Sequence, residues 1–113
     1  MADNPVSRQQ YLLSVLRYYC STPGTTGAIR RHDRLLADHL YQRGVPLIAI
    51  ENALILAAAR RLFRPTEAPP LAPVRSLAYF LPVIEEVLGL TVSQDYFHHL
   101  QNQIARFCSR NPT

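Results

Sequence analysis

Residues 46–63 set the terms for the whole chain. Leu47, Ile48, Ile50, Leu54, Ile55 and Leu56, with Ala49, Ala53, Ala57, Ala58 and Ala59, leave a helix through this stretch almost no polar face. A helix that is apolar nearly all round is buried on most sides, and its alanines let neighbours approach closely. The rest of the chain must therefore supply the cover. Glu51 and Asn52 interrupt the run, so its two apolar parts, 45–50 and 53–59, fall short of a membrane span even together. Only its end is polar, where Arg60, Arg61 and Arg64 follow within two turns.

The covering segments also read as helices. Over residues 7–20, Tyr11, Leu12, Val15, Leu16 and Tyr19 form one stripe, with Arg8 and Arg17 off it. Ser21-Thr22-Pro23-Gly24-Thr25-Thr26-Gly27 then breaks the helix. A second helix is expected over 31–43 with Leu35, Leu36, His39 and Leu40 inward. Gly44 supplies its left-handed stop, and Pro46 stands near the first turn of the central helix. Pro65 ends that helix, and Pro69, Pro70 and Pro73 keep 65–75 extended as an ordered strap. Ser76 caps a fourth segment, 77–88, which Pro82 either kinks or divides into a short turn and a helix. After Gly89, Ser93 caps a fifth helix over 94–109, with Tyr96, Phe97, Leu100, Ile104 and Phe107 inward.

No strand alternation, internal repeat or heptad array is present. The expected fold class is all-α: a single compact bundle of about five helices around a buried central one, spanning residues 1–113 as one domain. The ends, 1–6 and 110–113, are expected to fray. With 48% apolar and 18% charged residues the chain has enough aliphatic mass for a core and needs no staple.

The charge carries the functional signal. All twelve basic residues are arginine, so every cation is a planar donor suited to phosphate or carboxylate. Residues 1–64 hold nine arginines against four acids, a net of +5, whereas 65–113 hold three against four. Arg30, Arg31 and Arg34 open the second helix, and Arg60, Arg61 and Arg64 close the third. Were those helices antiparallel neighbours, all six would gather at one end as a nucleic-acid-binding patch. On the competing reading they are structural. Arg60, Arg61 and Arg64 complement the negative end of their own helix, while Arg31 and Arg34 pair with Asp33, Asp38 or Glu67. Arg75, just before a helix N-terminus, is a further anion-binding candidate, set against a contact to Glu85 or Glu86.

Other chemistries find no foothold. A recognition helix needs polar side chains near its start, and Pro46, Leu47, Ile48 and Ala49 supply none. His98 and His99 are adjacent, about 100° apart on a helix, and form no ligand spacing with His32, His39 or the cysteines. No nucleophile elbow, P-loop, paired carboxylates or Gly-rich dinucleotide turn occurs, so neither catalytic residues, metal nor cofactor is expected. Cys20 and Cys108 are expected as free, core-type thiols of a reducing compartment. They would pair only if the first and last helices lie side by side. Met1-Ala2-Asp3-Asn4-Pro5 has neither n-region nor h-region, and the expected location is the cytoplasm. Tyr18, Tyr19, Tyr79, Phe80 and Phe97 exceed the needs of one small core, which suggests a surface for homo-oligomers.

Arg43-Gly44-Val45-Pro46-Leu47, the Ala-rich helix ending Arg60-Arg61, and Pro73-Val74-Arg75-Ser76-Leu77-Ala78-Tyr79-Phe80 carry a resemblance. Residues 31–86 resemble helical domains of bacterial replication proteins of the DnaD and plasmid-initiator kind. The resemblance implies a nucleic-acid or replication accessory role. The leading expectation is a non-enzymatic helical module that binds nucleic acid or a nucleoprotein partner through its arginines. The alternative is a protein-interaction or oligomerisation module in which those arginines are structural.

Overall fold

The structure, a computed structural model, describes residues 7–65, 67–90 and 93–110. The expectations placed on Met1–Pro5 and on fraying of 1–6 and 111–113 lie outside these residues; Arg110 still belongs to the last helix. Among the described residues the elements are α1 (Arg8–Ser21), α2 (Arg31–Gln42), α3 (Leu47–Leu62), a 3-10 turn (Leu77–Phe80), α4 (Leu81–Leu88) and α5 (Gln94–Arg110). The fold is an all-α bundle. No helix among the described residues is long and apolar enough to cross a membrane.

α3 is the hub: α1, α4, α5 and the 3-10 turn all pack on it. Ala53, Leu54 and Ala57 are buried, as the composition of this helix demands. Its one buried polar side chain, Asn52, exchanges hydrogen bonds with the Gln94 amide at 3.0 and 3.1 Å. That pairing satisfies the polar interruption and ties α3 to the start of α5.

Local chemistry sets the helix ends. The Ser7 hydroxyl accepts from the Gln10 backbone N–H, and the Gln10 side chain accepts from the Ser7 N–H, a reciprocal cap for α1. Gly44, at φ +76°, lets its N–H reach the Tyr41 carbonyl and that of Val45 reach the Leu40 carbonyl. This closes α2 as a Schellman stop. At Pro82 the second of the two expected arrangements forms: the 3-10 turn hands over to α4, and the proline sits in that helix's first turn, where no donor is lost.

Several expectations need correction. α2 packs on α1 and on the 3-10 turn, not along α3, so the antiparallel α2–α3 pair is not formed. The inner face of α2 is Asp33, Ala37 and Leu40, while Leu35 and His39 are exposed. Asp33 faces inward because its carboxylate bonds groups of the 3-10 turn, and this rotates the two outer residues to solvent. On α5, Phe97, Leu100 and Ile104 are buried, but Tyr96 is exposed. Of the five aromatics set aside for a surface, Tyr19, Phe80 and Phe97 are core residues, Tyr18 is half-buried and Tyr79 is exposed. Cys20 and Cys108 are free and exposed rather than core thiols. α1 and α5 each lean on α3 and not on one another.

Candidate anion-binding face

The strap between α3 and the 3-10 turn ties the end of α3 to the loop that precedes α2. Its residue Val74 is buried and pairs in parallel with Thr25 of the 21–27 loop. The Val74 N–H reaches the Gly24 carbonyl at 2.7 Å, and the Thr26 N–H reaches the Val74 carbonyl at 2.9 Å. The end of α3 meets this strap through Arg61 at Ala72, and the start of α2 meets the 3-10 turn that follows it through Asp33 at Leu77.

At the end of α3 each arginine is committed. Arg60 makes a two-pronged ion pair with Glu86 of α4, 2.8 Å on one branch. That guanidinium holds the Glu86 carboxyl below the usual carboxylate range. Arg61 donates to the Ala72 carbonyl at 2.8 Å and to the Tyr79 hydroxyl at 3.2 Å, and its guanidinium lies 5.5 Å from the Tyr79 ring centre. Arg64 donates to the Pro69 carbonyl at 2.7 Å. Strap carbonyls in a proline-rich segment have few backbone N–H groups to pair with, and arginines supply the donors. Gly24 belongs to the same arrangement. Its φ is +92°, and a Cβ there would sit 3.1 Å from Arg61 Nε.

The start of α2 is different. Arg30, Arg31 and Arg34 are exposed, and their guanidinium groups make no hydrogen bond or ion pair within the described residues. Asp33 and Asp38, two of the three carboxylates expected to hold Arg31 and Arg34, are engaged by other groups. Asp38 accepts from Arg8 Nε at 2.6 Å, which lowers its pKa, and Arg43 similarly holds Glu85. Asp33 is fully buried and accepts backbone N–H groups from Arg30 and from Leu77, each at 2.9 Å, and the Ser76 hydroxyl at 3.4 Å. One carboxylate therefore closes the N-terminus of α2 and that of the 3-10 turn.

That closure settles the place of Arg75. The N-terminus beside it already holds an anion, Asp33, and Glu85 and Glu86 are engaged by Arg43 and Arg60. Arg75 is exposed and joins neither arrangement. Among the described residues no three His, Cys, Asp or Glu side chains come together as metal ligands would.

A groove missed by the sequence reading lies beside the free arginines. Leu12, Leu13, Leu16 and Ile29 line it, with Arg17 and Arg34. Leu13 is 54% exposed and Leu35, next to Arg34, is 58% exposed. The available signal was an off-stripe leucine, Leu13, with an arginine one turn on. Comparison of the chain with protein families, curated proteins and solved structures finds no match.

Proposed function

We propose that this protein is a non-enzymatic helical module of the cytoplasm, a replication accessory that binds nucleic acid or a nucleoprotein partner through the arginines at the start of α2. The observation that carries this reading is the uncommitted state of Arg30, Arg31 and Arg34 at that helix end. A helix N-terminus is the positive end of the dipole, so cations there are electrostatically unfavourable in the free protein. An arriving phosphate reverses the sign of that effect. The likeness of residues 31–86 to helical domains of bacterial replication proteins supports the same direction. Arg60, Arg61 and Arg64 are left out of this site, because they already serve Glu86, Tyr79 and the strap carbonyls. That commitment is also what favours the second reading, a protein-interaction module with structural arginines.

Titration of labelled duplex and single-stranded oligonucleotides across a salt series separates the two. Binding is expected to weaken steeply with salt. Replacing Arg31 and Arg34 by alanine should lower affinity and make the salt slope shallower by about 0.9 per lost phosphate contact on duplex DNA. The Arg106→Ala, Arg110→Ala pair should leave the slope nearly unchanged. Equal losses from both pairs would mean generic charge and would remove the site.

A further inference from the structure

α1 and α2 run antiparallel: Arg8, at the start of α1, pairs with Asp38 in the second half of α2, while Cys20 at the other end donates to the Gly27 carbonyl just before α2. The groove along their outer seam encloses about 580 Å³. Its apolar lining is Leu12, Leu13, Leu16 and Ile29, and its charged lining is Arg17 and Arg34. No acid lines it. From Leu12 to Arg17 and on to Cys20 the groove follows α1 for about two to three helical turns. That length suits a partner helix presenting apolar anchors at i, i+3 or i+4, and i+7.

Charge and lining together select the occupant. A phosphate backbone would engage the arginines but gain nothing from four aliphatic side chains, and no aromatic lines the groove for a base to stack on. An aliphatic anchor beside a carboxylate satisfies both halves of the lining, since arginine matches carboxylate geometry with two donors. The chain does not offer such a helix from α2 or α4. Glu85 and Glu86 of α4 are held by Arg43 and Arg60, Asp38 by Arg8, and Asp33 is buried. We propose that the α1–α2 groove docks an acidic amphipathic helix of a separate protein, with its apolar anchors against Leu12, Leu13, Leu16 and Ile29 and its carboxylates on Arg17 and Arg34. This inference shares Arg34 with the nucleic-acid reading but does not depend on it.

The test is methyl-detected NMR on the full chain with two synthetic peptides of about 18 residues, roughly five helical turns. Both carry leucine on one face; one carries glutamate on the other face and its control carries lysine. The glutamate peptide should shift the methyls of Leu12, Leu13, Leu16 and Ile29 saturably and leave those of Leu54 and Ile55 on α3 in place. Leu13→Glu replaces an exposed side chain, so the far-UV spectrum should hold while affinity falls about tenfold or more. Arg17→Glu should weaken the glutamate peptide and strengthen the lysine peptide. Leu13→Glu should also leave oligonucleotide binding intact, whereas Arg31→Ala should weaken oligonucleotides and spare the peptide. The proposal is overturned if both peptides bind alike, if Leu13→Glu changes nothing, or if the Leu54 and Ile55 methyls move instead.

Discussion

Arg60, Arg61 and Arg64 end a helix beside a carboxylate and the carbonyls of a proline-rich strap; Arg30, Arg31 and Arg34 begin a helix with their side chains exposed. The residue type is the same at both places, and the surroundings decide its work. At the end of α3 the helix dipole favours a cation, Glu86 neutralises one, and the strap needs donors. Every guanidinium there has a partner within the fold. At the start of α2 the dipole disfavours a cation, and the donors of that N-terminus are served by Asp33 instead. The side chains of the α2 arginines therefore make no hydrogen bond or ion pair within the described residues. A local conflict of this kind, retained in an otherwise consistent fold, points to a ligand.

The comparison rests first on α3 being the frame to which one arginine group is attached. Ala57→Asp tests that frame and should have the largest effect of any substitution considered. Ala57 is 3% exposed in the helix that α1, α4 and α5 share, and an unpaired carboxylate there costs several kcal/mol. Loss of the helical spectrum at room temperature is expected. A folded variant with a wild-type melting temperature would show that α3 is not central, and the contrast between the two arginine groups would lose its basis.

Asp33 is the next lever, because it explains how the start of α2 manages without its arginines. Asp33→Ala leaves the Leu77 and Arg30 N–H groups without their acceptor at a buried junction. The expected loss is about 2–3 kcal/mol in urea unfolding, with faster hydrogen exchange at Leu77. Asp33→Asn, which keeps one acceptor oxygen, should lose less. If Asp33→Ala is neutral, something other than this carboxylate closes the two N-termini.

How far these features were legible depends on the range over which they act. The buried central helix could be read directly, because eleven aliphatic residues in one stretch leave no alternative to burial. Gly44, Ser76 and Pro82 were legible for the same reason, each acting within a few residues of itself. The inner face of α2 was not. Counting aliphatics put Leu35 and His39 inside, but the face is decided by Asp33, whose partners lie more than forty residues away at Ser76 and Leu77. Both arginine groups could be named from sequence, and the dipole argument for Arg60, Arg61 and Arg64 needed no structure. Their division of labour could not be read, since Glu86, Tyr79 and the Ala72 carbonyl become neighbours only after folding. The groove along α1 and α2 was hidden likewise: Leu13 looks like an ordinary exposed leucine until Ile29 and Arg34 are placed beside it.

The smallest expected effects discriminate most sharply between the two arginine groups. Arg61→Ala removes the donors to the Ala72 carbonyl and the Tyr79 hydroxyl and the cation over the Tyr79 ring. Solvent competes at this half-buried site, so the expected loss is about 1–2 kcal/mol, and the Gly24–Val74 pairing should exchange faster. Arg31→Ala removes a guanidinium without a partner from the positive end of α2. Its stability should be unchanged or higher by roughly 0.3–1 kcal/mol at low salt, and salt should erase the gain. Alanine also favours a helix slightly more than arginine does, which acts in the same direction and is independent of salt. Measuring both variants by chemical unfolding at low and high ionic strength isolates the dipole contribution. Should Arg31→Ala lose as much stability as Arg61→Ala, the α2 arginines are structural after all, and the face they form belongs to the fold and not to a ligand.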